Sequence, residues 1–235
     1  MYCKFITFGS HGRFIDAGNR LIQQANNMTV FDETILYTGE YLKNDVGFWE
    51  RHGDFINNNH KGYGYWLWKP YLIQQTMNQM NNGDILLYLD CGCEMVVTER
   101  TALLNDIELL KKSNKCISGT TTCIEREWNK MDLLVALDMN CDTYLNTAQR
   151  QGGTQLILVC DESRELINKW YDLACDYHMI DDSPSIIANL NCFKEHRHDQ
   201  SIFSLLTKKY DLYSPNTLNK KWLQVLRNKT GTTKL

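Results

Sequence analysis

The sequence predicts an α/β domain, a mostly parallel central sheet with helices on both faces. Three observations carry that prediction. Apolar runs of strand length alternate with stretches of helical spacing as far as about Lys208, and such alternation favours parallel strands joined by helices. The run Ile85-Leu86-Leu87-Tyr88-Leu89 is continuously apolar, as in a central strand covered on both faces. A chain of 235 residues with 43% hydrophobic content suffices for one sizeable core. Residues 1–235 therefore read as a single domain, with about 211–235 as a C-terminal extension that completes or covers a site.

The elements follow in order. Tyr2 to Phe8 is apolar and β-rich, and Phe14 to Ala25 places Phe14, Ala17, Leu21, Ile22 and Ala25 at helical spacing. Glu33 to Tyr37 reads as a second strand. After a polar stretch, Pro70 sits where a first helical turn tolerates it, opening a helix to about Met80. Asn82-Gly83 turns into the buried strand at Ile85–Leu89. Thr101 to Leu110 reads as helix, Cys116 to Thr122 as strand, Glu125 to Ala136 as helix and Gln155 to Cys160 as another buried strand. Asp161 is placed to cap a helix whose inner face is Leu166, Ile167, Trp170, Leu173 and Ala174. A last helix, Gln200 to Lys208, turns Ile202, Phe203, Leu205 and Leu206 inward.

The formal charge of −3 offers no whole-molecule attraction to nucleic acid or an anionic membrane, though a local phosphate site is compatible with it. The nine cysteines are scattered, and no C-x-x-C pair occurs. That pattern argues against a disulfide framework or a zinc knuckle. No charged leader or apolar core of a signal peptide precedes the first strand, and no stretch approaches the roughly 20 apolar residues of a membrane span. The expectation is a reducing compartment: cytoplasm, or host cytosol for a virally encoded chain.

In open α/β sheets ligands gather beyond the carboxyl ends of the strands. Three polar clusters point to that edge: Thr7-Phe8-Gly9-Ser10, Asp90-Cys91-Gly92-Cys93-Glu94, and a turn expected at Gln151-Gly152-Gly153-Thr154. Asp90 ends the apolar strand, where a half-desolvated carboxylate wants a positive partner. A divalent cation holding a diphosphate is one such partner; a plain turn cap is the bland alternative. Gly62 to Tyr71 packs five aromatics, Lys69 and two glycines into ten positions. The aromatics offer stacking faces and Lys69 a charge for phosphate, or else they are core and solvated lysine. Glu195-His196-Arg197-His198-Asp199-Gln200 precedes an amphipathic helix. There Asp199 is either an ordinary N-cap, worth about 1 kcal/mol, or a carboxylate that polarises an acceptor hydroxyl. No P-loop, dinucleotide, zincin or serine-hydrolase motif occurs.

Taken together, Gly62-Tyr63-Gly64-Tyr65-Trp66-Leu67-Trp68-Lys69-Pro70, Gly83-Asp84-Ile85-Leu86-Leu87-Tyr88-Leu89-Asp90-Cys91-Gly92 and His196-Arg197-His198-Asp199-Gln200-Ser201 resemble a family of small GT-A glycosyltransferases. These belong to the nucleotide-diphospho-sugar transferase superfamily, found in bacteria, eukaryotes and large DNA viruses, and the likeness spans roughly residues 2 to 210. The resemblance implies a Rossmann-like GT-A domain that moves a sugar from a nucleotide-sugar donor, most commonly a uridine diphosphate sugar, to a glycan, protein or small-molecule acceptor. It implies donor contacts from Thr7, Phe8, Gly9, Tyr65, Trp68, Lys69, Asp90, Cys91, Gly92, Gln151, Gly152, Gly153, Arg197 and His198. It implies catalytic roles for Asp199, Gln200 and Asp90, and a Mn2+ or Mg2+ ion on Asp90. The second Asp of the D-x-D motif is replaced by Gly92, so His198 or Glu94 becomes the candidate second ligand. Two rival readings stand beside it. Gly9-Ser10-His11-Gly12-Arg13 faintly echoes the glycine-rich loop of sugar nucleotidyltransferases, and the missing Asp suits a non-catalytic nucleotide-sugar or carbohydrate-binding module.

Overall fold

The computed structural model describes residues 1–113, 117–212, 214 and 217–234. In chain order its elements are β1 (Cys3–Gly9), α1 (Arg13–Met28), β2 (Glu33–Thr38), α2 (Gly39–Asn44), α3 (Val46–Asn58), the single turn α4 (Gly62–Tyr65) and α5 (Trp68–Met77). There follow β3 (Ile85–Leu89), β4 (Cys93–Met95), α6 (Arg100–Ser113), β5 (Ile117–Ile124), α7 (Glu125–Trp128), α8 (Met131–Ala136) and α9 (Asp142–Leu145). The chain continues through β6 (Ala148–Leu158), α10 (Asp161–Cys175), α11 (Asp199–Lys209) and β7 (Leu223–Val225).

Five strands form the central sheet in the order β2-β1-β3-β6-β5. The pairs β1–β2 and β1–β3 are parallel, while β6 is antiparallel to β3 and to β5. Four strands thus share a direction, and β6 alone is reversed. Both faces are covered, which is why the central strand β3 is continuously apolar. On one side Phe5, Leu87 and Leu156 pack with Leu21 of α1 and Leu103 of α6. On the other, Phe8, Leu86 and Ile157 pack with Leu72 of α5, Trp170 of α10 and Phe203 of α11. The predicted α/β architecture is the observed one. No helix among the described residues is long and apolar enough to cross a membrane.

Several boundaries differ for identifiable reasons. Gln151–Thr154 is not a turn but lies within β6, because the strand begins at Ala148, well before the start expected at Gln155. The polar stretch before Pro70 holds α2 and α3, capped by Thr38 and Asp45 accepting from the amides of Tyr41 and Phe48. The helix expected over Glu125–Ala136 is two short ones. Asn129 bonds back to the Glu125 carbonyl and carboxylate, and the Lys130 amide turns away to His196 Nδ1 at 3.2 Å. Cys160, not Asp161, is the N-cap of α10. Cys116 lies outside the described residues.

The C-terminal segment returns as a strap. The Trp222 indole N–H and the Asn219 amide both donate to Asp106 Oδ2 at 2.7 Å, and β7 pairs antiparallel with β4.

Candidate functional site

A cleft of about 740 Å³ opens beyond the carboxyl ends of β1 and β3. The reversal of β6 matters here, since the beginning of an antiparallel strand falls on the same edge as the ends of its neighbours. Gln151, Gly152 and Gly153 therefore join Asp90 and Asp199 in the cleft lining.

At the floor stands Lys69, only 2% exposed. Its Nζ donates to Asp199 Oδ2 at 2.6 Å and lies 3.3 Å from Asp90 Oδ1. The Tyr88 hydroxyl donates to the same Asp90 oxygen at 2.6 Å. Burial alone would pull the Lys69 pKa down, but the two carboxylates outweigh it and the net shift is upward. One ammonium between two carboxylates leaves an excess negative charge, and the more buried acid responds. Burial pushes Asp199 up from 3.8 to about 6, against the pull of Lys69, and the Asp90 charge adds to the rise. Asp199 is not the N-cap of α11; that position is His198, and Asp199 turns to Lys69 instead.

The paired glycines of β6 make room for this cluster. A Cβ at Gly153 would stand 2.3 Å from Asp90 Oδ2, and one at Gly152 would stand 3.0 Å from Asp199 Oδ2. Both distances are below ordinary contact, so a side chain at either place displaces a carboxylate.

One wall is aromatic. Phe8 stacks on Trp68 with ring centroids 3.8 Å apart. Next to it, Gly62, Tyr63, Gly64, Tyr65 and Trp66 all have positive φ, a run that costs on the order of 1 kcal/mol at each non-glycine. Gly62 and Gly64 are required by space as well, since their Cβ atoms would meet the Trp66 ring at 2.4 Å and Ile56 at 2.7 Å. The run turns Tyr63 and Trp66 to the cleft. Tyr65 instead packs between Phe55 and His198, with centroids at 6.0 and 5.0 Å.

The remaining expected residues divide. Cys91, Gly92, Arg197, His198 and Gln200 line the cleft. His198 Nδ1 donates to the Ile180 carbonyl at 2.8 Å, so the neutral ring carries its proton there; burial lowers its pKa. Arg197 lies over the Trp128 ring at 4.4 Å. Gln200 donates to Gln149 at 2.8 Å and accepts from the Gly152 amide at 3.3 Å. Thr7 is fully buried and ties β1 to the Leu89 carbonyl at 2.7 Å. Gly9 allows α1 to approach, because its Cβ would meet the Phe14 carbonyl oxygen at 2.4 Å. Neither Thr7 nor Gly9 lines the cleft.

The expected ligands of a Mn2+ or Mg2+ ion do not form a protein cage among the described residues. Asp90 has an open side chain, 43% exposed, and one of its oxygens already serves Tyr88 and Lys69. Glu94 is enclosed away from the cleft by Arg20 at 3.2 Å, Asn228 at 2.5 Å and the Lys234 amide at 3.1 Å. His198 Nε2 lies 3.6 Å from Asp182 and makes no hydrogen bond among the described residues. A hard cation here would rest on the open Asp90 oxygen together with diphosphate oxygens and water.

No family model matches this chain, and no curated protein matches it. Its structure is similar to that of mouse xyloside xylosyltransferase 1 in its apo form. The TM-score is 0.48 at 12% identity, over 94% of this chain and 86% of that one.

Sequence reasoning missed Tyr88, Thr121, Arg227 and Lys229. Tyr88 was legible as the one hydroxyl in an aliphatic strand, two places before Asp90. The strap cations had a fainter signal, the basic density of Arg227-Asn228-Lys229 near the end of the chain.

Proposed function

We propose that this chain is a GT-A glycosyltransferase acting on a nucleotide-diphosphate sugar, with a uridine diphosphate sugar as the first donor to test. The observation that carries the reading is the cluster in which Lys69 bridges Asp90 and Asp199 at the floor of an aromatic-walled cleft. The cleft places flat apolar faces beside charged groups, as recognition of a nucleotide and a sugar requires. In the proposed reaction an acceptor hydroxyl oxygen bonds to the anomeric carbon. The bond from that carbon to the diphosphate oxygen breaks, and its electron pair leaves with the nucleoside diphosphate. The hydroxyl proton passes to Asp199, whose pKa of about 6 suits a base working near neutrality. Asp90 accepts hydrogen bonds from donor hydroxyls through its open oxygen. Arg197 and Lys69 add positive charge beside the leaving group. A Mn2+ or Mg2+ ion, held by the open Asp90 oxygen, would supply further charge neutralisation, and no step above depends on it.

The test is a thermal-shift screen of nucleotide-sugars with and without manganese, since ligand binding to the native state raises the midpoint. Turnover of the stabilising donor must release free nucleoside diphosphate; release of pyrophosphate from a triphosphate would assign a nucleotidyltransferase instead. Asp90→Asn is expected to lower turnover at least a hundredfold, roughly 3 kcal/mol of barrier, with the circular-dichroism spectrum unchanged. Near-normal turnover in that variant removes Asp90 from the mechanism. A donor that binds with no turnover in any condition points to a binding module.

A further inference from the structure

The strap brings two cations to the cleft that nothing yet described uses. Arg227 and Lys229 line it and are exposed, and neither is paired with an acid among the described residues. Their placement is built. Asn228 between them is fully buried: its amide donates to the Gly92 carbonyl at 2.9 Å, its side chain reaches Glu94 at 2.5 Å, and its carbonyl accepts from Arg20 at 3.3 Å. With Asn228 held inward, its two neighbours in the chain point out over the cleft. Arg227 adopts a φ of 53° to do so, a conformation that a non-glycine residue rarely takes without a surrounding that enforces it. Gly92 is the complementary feature: a Cβ there would stand 3.0 Å from Arg227 Cα. The position two residues after Asp90 is therefore occupied by the backbone that carries the arginine.

The charges agree with an anionic ligand. Five Lys and Arg side chains line the cleft against three Asp and Glu, an excess of two positive charges, on a chain whose net charge is −3. A diphosphate carries about two negative charges in this setting, and Arg presents the planar donor fork that matches phosphate oxygens.

We infer that Arg227 and Lys229 bind the diphosphate of the donor directly, so that nucleotide binding needs no divalent cation. The inference rests on the glycosyltransferase reading above, and it adds the residues and the charge source for the leaving group.

The experiment is calorimetric titration of the full chain with UDP, GDP, ADP and CDP, in EDTA and again with MnCl2. Expected is binding of at least one nucleotide in EDTA, with manganese changing the dissociation constant by less than about threefold. Arg227→Gly and Lys229→Ala should each weaken binding about ten- to a hundredfold, the range for a lost charge-assisted contact, and Arg227→Lys, which restores the charge but not the planar fork, should recover part of that loss. Arg227→Gly relaxes the positive φ, so its thermal midpoint should equal or exceed that of the parent, which separates lost binding from lost fold. Binding that appears only with manganese, or that is unchanged in Arg227→Gly and Lys229→Ala, overturns the inference and leaves the glycosyltransferase reading standing. Failure of all four nucleotides in both buffers removes both.

Discussion

The substitution Asp199→Asn removes one charge from the Lys69 cluster while keeping its shape. Asp199 titrates from 3.8 when free to about 6 in the fold, a difference worth about 3 kcal/mol between its two protonation states. The folded state therefore holds this proton more tightly than the unfolded chain does. The resulting stabilisation is fully present below about pH 4 and is lost as pH rises through about 6. Against Asp199→Asn, which cannot titrate, the native chain should lose up to about 3 kcal/mol of relative stability between those limits. Urea denaturation of both proteins at half-unit steps measures this, and pH effects from groups outside the Lys69 cluster cancel in the difference. Activity should move the opposite way, because a base must be unprotonated. With a pKa of about 6, roughly one tenth of Asp199 is ionised at pH 5 and nine tenths at pH 7. The kcat/KM of the native chain should thus rise about ninefold over that interval, and Asp199→Asn should lower the plateau and abolish the rise. A stability difference that stays flat with pH, or an acid limb centred near pH 4, refutes the buried, proton-sharing role assigned to this residue.

Other outcomes follow from the same geometry. Gly153→Ala places a methyl group 2.3 Å from Asp90 Oδ2; turnover should fall about a hundredfold, and the strain of overpacking should lower stability by about 1–3 kcal/mol, read from turnover and urea midpoints together. Lys69→Met leaves Asp199 and Asp90 without their shared cation, which should cost about 3–5 kcal/mol, a drop of roughly 6–20 °C by calorimetry. Trp222→Ala empties a fully buried site in the strap and removes the indole donor to Asp106; a loss of about 3–5 kcal/mol is expected, with nucleotide affinity reduced by release of Arg227 and Lys229.

Much of this molecule was readable locally. Alternating apolar runs and helical spacings located β1, β3, α1, α10 and α11, because burial on a sheet face or helix stripe leaves a short-range periodic trace. Asp90 stood out as a carboxylate closing an apolar strand, and Lys69 as a basic residue at a helix start. Helices α2 and α3 escaped, since each buries few apolar residues, among them Leu42, Phe48 and Ile56, and the rest of their surface is polar.

The sequence by itself determined the alternation of the main strands and helices, the edge at which polar residues gather, and the identities of Lys69, Asp90 and Asp199. Only the tertiary structure decided that Lys69 and Asp199, 130 positions apart, share a proton-binding cluster, and that the strap returns Arg227 to Gly92. The direction of β6 was equally out of reach, because a strand buried on both faces shows the same apolar run whether it lies parallel or antiparallel to its neighbours. Local pattern records which surfaces are hidden from water. It does not record which distant surface hides them, and that choice is made by the packing of the whole chain.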